Sequence, residues 1–251
     1  MTARLQGRSA LVTGSTDGLG VAIAQALAAE GAHVIVTGRN VEGGKRTVGS
    51  IEQAGGRATF IAADLGRGAA AIRELAHAAG EAAGGDLDIL VNNAALLIDP
   101  APTAEVEEEL IDQALRVNVK AAFLLTGLIA PEMAARGSGS VINMGSINGL
   151  FGSAHSALYS ATKATVHSLT KSWAAEYGPA GVRVNTVAPG PTLTEKISGI
   201  QDRLASMIAA MPSRRASTPA EVAAAVVFLA SDDASNIHGA TLSVDGGRAA
   251  I

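Results

Sequence analysis

Short apolar runs alternate along this chain with longer stretches in which apolar positions recur at helical spacing. The runs "SALVT" (9–13), "HVIVT" (33–37), "ATFIA" (58–62), "LDILVNN" (87–93), "SVINM" (140–144), "VRVNTVA" (182–188) and "ATLSV" (240–244) read as seven β-strands. Helices are predicted from about Gly18 to Glu30, around 41–54, 68–83 and 103–135, from about Ser156 to Tyr177, and around 219–230. The strand runs do not alternate in polarity, which suits a sheet buried on both faces. Strict β-α order favours parallel pairing through right-handed crossovers. The expected fold class is α/β: one doubly wound domain over residues 1–251, a mainly parallel seven-stranded sheet with helices on both faces. Ligands are expected outside the carboxyl ends of the strands. Residues 190–218 depart from the rhythm; they form either a substrate lid at that edge or a surface loop with one amphipathic turn.

Composition narrows the function classes. Apolar residues make up 48%, enough for a sizeable core. Nineteen basic residues face 23 acidic ones, a formal charge of −4, so there is no basic surplus for nucleic acid and no polybasic membrane patch. The absence of cysteine excludes disulfides and thiolate metal sites and fits a reducing compartment. The start "MTARLQGRSALVTG" has no apolar core of signal-peptide length, and runs such as "VAAAVVFLA" are too short to span a bilayer. A cytoplasmic protein with a small-molecule partner is expected.

Two stretches carry chemistry. The first strand ends in "TGSTDGLG", which puts Gly14, Gly18 and Gly20 in the first β-to-α turn. A backbone stripped of side chains can approach a pyrophosphate, and the helix behind it offers unpaired N–H groups and a positive dipole end. The spacing is G-x-x-x-G-x-G, not the general G-x-G-x-x-G. The second stretch is "YSATK": Tyr159 and Lys163 stand four apart, hence on one helix face. A free phenol titrates near 10, and a nearby cation favours the phenolate. Lowering it by about three pH units takes roughly 4 kcal/mol. The plain alternative is a surface Tyr–Lys pair.

With Thr13 before it, the glycine turn resembles that of the short-chain dehydrogenase/reductase family, and the resemblance runs over nearly the whole chain. "NNAA" (92–95) resembles that family's NNAG, and Asn118 in "VNVKAAF" matches its helix asparagine. Ser146 stands thirteen residues before Tyr159, "YSATK" is its Y-x-x-x-K, and "VRVNTVAPGPTLT" and "SVDGG" match its last strands. The resemblance implies a Rossmann fold and hydride transfer between a nicotinamide and a carbonyl or secondary alcohol. Tyr159 would be the general acid/base and Ser146 would stabilise charge on the substrate oxygen. Lys163 would hold the nicotinamide ribose and tune Tyr159, and Asn118 would hold a water in a proton relay. No metal is implied, and the five histidines show no ligand spacing; His167 reads as a helix-face residue.

The same resemblance assigns the dinucleotide to Gly14, Thr16, Asp17, Gly18, Leu19 and Gly20, then Arg39, Asp64, Leu65, Asn92 and Ala94, and finally Tyr159, Lys163, Pro189, Gly190, Thr192 and Thr194. Gly38 stands where NAD-type members carry Asp, and Arg39 after it suits a 2′-phosphate, although Asp17 occupies a place where NADP-type members add a base. NADP(H) is favoured, with NAD(H) as the alternative. Ala95 replaces the customary glycine and fits only if φ stays negative there. Substrate walls are expected from Asn148, His155, Ser156, Ala95 and Leu96. Asn148 and Ser156 would suit a polyol, sugar-derived ketone or β-ketoester; Leu150, Phe151, Ile197 and Met207 would make an apolar pocket. Arg214 and Arg215 would face an acidic carrier or only solvent. The family implies a homotetramer through the helices near 105–135 and 156–177. The rival to an enzyme is a non-catalytic dinucleotide sensor, whose mark would be loss of Ser146, Tyr159 or Lys163.

Overall fold

The computed structural model describes residues 3–194 and 201–251; Ile197 lies outside them. Each of the seven apolar runs forms a strand: β1 (Ser9–Thr13), β2 (His33–Gly38), β3 (Arg57–Ala62), β4 (Ile89–Asn92), β5 (Gly139–Met144), β6 (Val182–Pro189) and β7 (Thr241–Val244). They make one sheet in the order β3-β2-β1-β4-β5-β6-β7. Every neighbouring pair is parallel. The helices are α1 (Gly18–Ala29), α2 (Val41–Gln53), α3 (Ala69–Ala83), α4 (Glu108–Leu115), α5 (Ala121–Arg136), α6 (Ala157–Tyr177), α7 (Gln201–Ala210) and α8 (Pro219–Ala230).

The apolar runs lack alternation because both sheet faces are covered. Val12, Val34, Val36, Val91 and Ile142 join α1 and α8 in one core. Their strand neighbours Leu11, Ile35, Leu90 and Val141 join α3, α5 and Trp173 of α6 in the other. Successive side chains of a strand point to opposite faces, so each strand feeds both cores. The order reverses between β1 and β4, and that switch point opens a crevice at the carboxyl ends of the strands.

The long helix predicted for 103–135 differs in detail. Pro102 precedes a 3₁₀ turn, Thr103–Glu105, and regular helix starts only at Glu108. Between α4 and α5 the chain makes a π turn, Arg116–Lys120, in which the Ala121 N–H donates to the Arg116 carbonyl. Glu108–Arg136 as a whole is long and apolar enough to cross a membrane by length and composition. Part of its apolar surface is spent in the core, where Leu125, Ile129 and Met133 are buried, while Ile111, Leu115 and Phe123 are exposed.

Helix ends are closed from within the sequence. The Asn40 side chain accepts from Gly43 N at 2.9 Å to start α2. Thr218 and Glu221 form a capping box on α8. Arg183, buried on β6, donates to the Leu229 and Ser231 carbonyls at the far end of α8.

Candidate active site

The carboxyl ends of β1, β4, β5 and β6 open on a cavity of about 790 Å³. Its floor is the β1–α1 turn. Gly18 has φ +54°, a left-handed conformation natural to glycine, and a Cβ there would meet only the Thr194 methyl at 4.0 Å. The turn therefore shows bare backbone to the cavity. Gly20 serves another purpose: a Cβ on it would lie 2.2 Å from the Gly14 carbonyl oxygen, so its smallness lets α1 seat on the turn. Asp17, the N-cap residue of α1, makes no side-chain cap. The first turn of α1 thus presents N–H groups and a positive dipole end that the Asp17 side chain does not cap.

Thr13 ties this turn to β4. Its hydroxyl donates to Val91 O at 3.2 Å and accepts from the amides of Asn93 and Ala94, both at 2.9 Å. Asn93 adds side-chain donations to the carbonyls of Thr13 (2.8 Å) and Gly14 (3.2 Å) and lines the cavity. Asn92 does not line it. Its amide donates to Thr126 Oγ1 at 3.1 Å and Asn143 Oδ1 at 2.8 Å, inside the core. Neighbours on a strand face opposite ways, so only one of the two asparagines can reach the crevice. That period-two rule was available in the sequence, but it does not say which of the two faces the crevice; the structure places Asn93 there.

At the outer end the cavity is bordered by Thr16, Arg39, Asp64 and Leu65. Arg39 is exposed. A Cβ on Gly38 would come within 2.7 Å of Thr16 Oγ1, so an acidic residue at 38 would require Thr16 to move. Asp64 accepts from Gly66 N at 2.9 Å, which fixes its carboxylate at the rim. Thr37 Oγ1 lines the same end, buried and without a partner among the described residues.

At the inner end stand Ser146, Tyr159 and Lys163, from the β5–α6 connection and α6. Lys163 is 4% exposed, and its ammonium donates to Met144 O at 2.7 Å. Desolvation lowers its pKa to about 8. The ammonium lies 5.7 Å from the centre of the Tyr159 ring. The Tyr159 pKa is raised by burial, opposed by its hydrogen bond with the Ser146 hydroxyl. The expected lowering of the phenol by Lys163 is therefore not met by the protein alone: the ammonium is committed to Met144, and desolvation wins. The phenol is protonated at neutral pH, ready as an acid.

Asn118 sits in the π turn, outside the cavity lining. Its Oδ1 accepts from Leu96 N at 2.6 Å, and its Nδ2 donates to Leu96 O at 3.1 Å and to Thr162 Oγ1 at 3.3 Å. The side chain thus holds the loop after β4, in which Ala94, Ala95 and Leu96 line the cavity. Ala95 is not among the non-glycine residues with positive φ, as its methyl requires. Pro189, Gly190, Thr192 and Thr194 close the side beyond β6.

His155 and Ser156 border an adjoining cavity of about 290 Å³, which shares Tyr159 with the first. His155 has φ +62°, and its carbonyl accepts from Ala101 N at 2.8 Å. Asn148 lines neither cavity; its amide donates to Ser156 Oγ at 3.3 Å. Leu97, Leu150 and Leu193, each in a loop at the strands' carboxyl edge, are 58%, 44% and 43% exposed.

The bare turn, the uncapped helix start, the orphaned Thr37 hydroxyl and the rim arginine fit a dinucleotide. A family model described as Enoyl-(Acyl carrier protein) reductase matches residues 14–249. Over 248 residues the chain is 38% identical to "Dehydrogenase/reductase SDR family member 4" of Sus scrofa, covering 98% of this chain and 88% of that one. The chain belongs to the short-chain dehydrogenase/reductase family. Another member, cis-4-hydroxycyclohexanecarboxylate dehydrogenase of Sinomonas cyclohexanicum, is 39% identical over 245 residues, 97% of either chain. Among solved structures, a candidate NAD(P)-dependent gluconate 5-dehydrogenase from Beutenbergia cavernae, with NADP at low occupancy, superposes with a TM-score of 0.93. It is 37% identical and covers 100% of both chains. Within the family this chain is an NAD(P)-dependent oxidoreductase of secondary alcohols and ketones.

Proposed function

We propose that Tyr159 carries the proton in this reaction and Ser146 holds the substrate oxygen. The observation that carries the reading is the convergence of Ser146, Tyr159 and Lys163 on the cavity floored by the bare β1–α1 turn. In reduction, the Tyr159 hydroxyl gives its proton to the carbonyl oxygen while the Ser146 hydroxyl donates a hydrogen bond to it. In oxidation Tyr159 takes that proton back from the alcohol. A bound nicotinamide dinucleotide supplies or accepts the hydride. Lys163 holds the ribose hydroxyls and keeps a positive charge beside the phenol. Asn118 acts by fixing Leu96, since both ends of its amide are engaged there.

NADP(H) is favoured over NAD(H). Arg39 at the cavity rim and the crowding of Gly38 by Thr16, which disfavours an acidic residue there, support that choice. For the substrate, a mainly apolar cyclic or alkyl ketone is favoured over a polyol. Asn148 lines neither cavity and is engaged with Ser156, whereas Leu97 borders the main cavity and Ile98, Val106, Leu110 and Leu158 border the adjoining one. The Sinomonas relative is named for a hydroxycyclohexane carboxylate, which supports a cyclic alcohol or ketone, while the Beutenbergia neighbour is named for gluconate, a polyol acid. Within one domain, the described residues of the expected lid region, 190–194 and 201–218, act as a lid; 195–200 lie outside the described residues. Exposed Ile111, Leu115 and Phe123 along α4–α5 support a homotetramer, and the cysteine-free composition supports a cytoplasmic site of action.

The test is turnover. The protein is mixed with NADPH or NADH and a panel of cyclic and acyclic ketones, and the absorbance of the reduced nicotinamide is followed. Turnover is expected, and Tyr159→Phe is expected to lower kcat by about 10²–10⁴-fold. Tight dinucleotide binding without turnover of any ketone or alcohol would defeat the reading in favour of a sensor.

A further inference from the structure

His167 lies four residues beyond Lys163 and eight beyond Tyr159, on the same face of α6. It is 6% exposed. Its Nε2 is 3.1 Å from the Ser146 carbonyl oxygen and 3.4 Å from the Ser146 nitrogen. Its Nδ1 is 3.1 Å from Thr241 Oγ1. One ring nitrogen cannot donate and accept at once. With the proton on Nε2 the ring donates to Ser146 O and Nδ1 accepts from Thr241; with it on Nδ1 the ring donates to Thr241 Oγ1 and Nε2 accepts from Ser146 N, so either tautomer holds the Ser146 main chain. Burial lowers the pKa of the imidazole, in keeping with a neutral ring.

The backbone around Ser146 is shaped to this ring. A Cβ on Gly145 would lie 2.7 Å from His167 Nε2, and one on Gly149 would lie 2.8 Å from its Cδ2. The two glycines bracket Ser146 and admit the imidazole between them. Ser146 Oγ, in turn, accepts from Asn148 N at 3.2 Å and acts on the Tyr159 phenol, opposing the rise in its pKa. A single histidine therefore anchors the peptide that carries the serine, from the helix that carries the tyrosine and lysine.

We propose that His167 is a positioning residue: by holding the Ser146 main chain through Nε2 it sets the Ser146 hydroxyl against Tyr159, and so acts on catalysis through Ser146. The proposal rests on the reading that Ser146 binds the substrate oxygen. Its test uses two amides of different reach. His167→Gln places a nitrogen near the position of Nε2 and keeps the grip on Ser146. His167→Asn places one near Nδ1 and keeps only Thr241. With a ketone that the wild-type enzyme reduces, His167→Gln is expected within about threefold of wild-type kcat. His167→Asn is expected to lose about 10–100-fold in kcat, as for a reacting group displaced by an ångström or less. KM and the dinucleotide Kd should stay within about twofold in both, since neither contact touches the bound molecules. In a Ser146→Ala background the two variants should turn over equally, because the residue they act through is gone. Equal kcat for His167→Gln and His167→Asn beside an intact Ser146, or a deficit of His167→Asn that persists in the Ser146→Ala background, would overturn the proposal alone. No turnover by the wild-type protein would sink both it and the functional reading.

Discussion

At Lys163 the proposed function and stability pull against each other. Its ammonium is buried, with one carbonyl at 2.7 Å, and its pKa falls from 10.5 to about 8. That drop corresponds to about 3 kcal/mol by which the folded state disfavours the charged form, at roughly 1.4 kcal/mol per pH unit. Replacement by a similar apolar chain, Lys163→Met, removes this burden but orphans the Met144 carbonyl, which costs about 1–2 kcal/mol. The variant is therefore expected to be inactive and, at pH 7, about 1–2 kcal/mol more stable in denaturant unfolding. The sign with pH follows from proton counting. Below about pH 8 both states hold the proton and the folded state carries the full penalty. Between about 8 and 10.5 the unfolded state holds more protons, so wild-type stability from this group rises with pH and the advantage of the variant shrinks. A variant less stable than wild type at pH 7 would contradict the account.

Among the elements, the strands were the most legible, because seven apolar runs leave a doubly covered sheet few other ways to form. Legibility failed where backbone geometry changes without a change in side-chain pattern. The π turn at Arg116–Lys120 is one such place: the apolar spacing runs through it, and no Gly or Pro marks it. Its effect is local, since the extra residue per turn re-aims the side chain at its centre. Asn118 then meets both backbone groups of Leu96. The cavity-lining residues readable from sequence are those whose chemistry is rare, such as Tyr159 beside Lys163. His167 reads from sequence as a helix-face residue, because its partner is the main chain of Ser146, which no sequence spells out. Asn118→Ala orphans the Leu96 N–H and C=O together. It is expected to cost about 2–3 kcal/mol of stability, two ordinary hydrogen bonds in a half-buried place. Amide hydrogen exchange gives the local check: the Leu96 amide should lose its protection in the variant, while the β1 and β4 amides keep theirs. Unchanged protection at Leu96 would remove Asn118 from its role in holding the loop.

For the whole molecule, the cavity straddles the switch point, with walls from both halves of the sheet. A dinucleotide bound there binds only the folded chain, so its affinity adds directly to folding stability. At one hundred times Kd this amounts to about 2.7 kcal/mol. In a chain of 251 residues that is a rise in Tm of about 5–10 °C, at roughly 2–4 °C per kcal/mol. The two dinucleotides differ only by a phosphate at the adenosine ribose, so any difference in their shifts reports the rim. At equal concentration NADPH is expected to raise Tm more than NADH. Arg39→Ala should bring the NADPH shift down to the NADH value and leave the NADH shift alone. Arg39 is exposed, so its attraction for the phosphate is screened, and the gap between the dinucleotides should narrow as salt is added. A larger shift with NADH, or an NADPH shift that survives Arg39→Ala, would move the preference to NAD(H) and leave Arg39 as a solvated side chain at the mouth of the cavity.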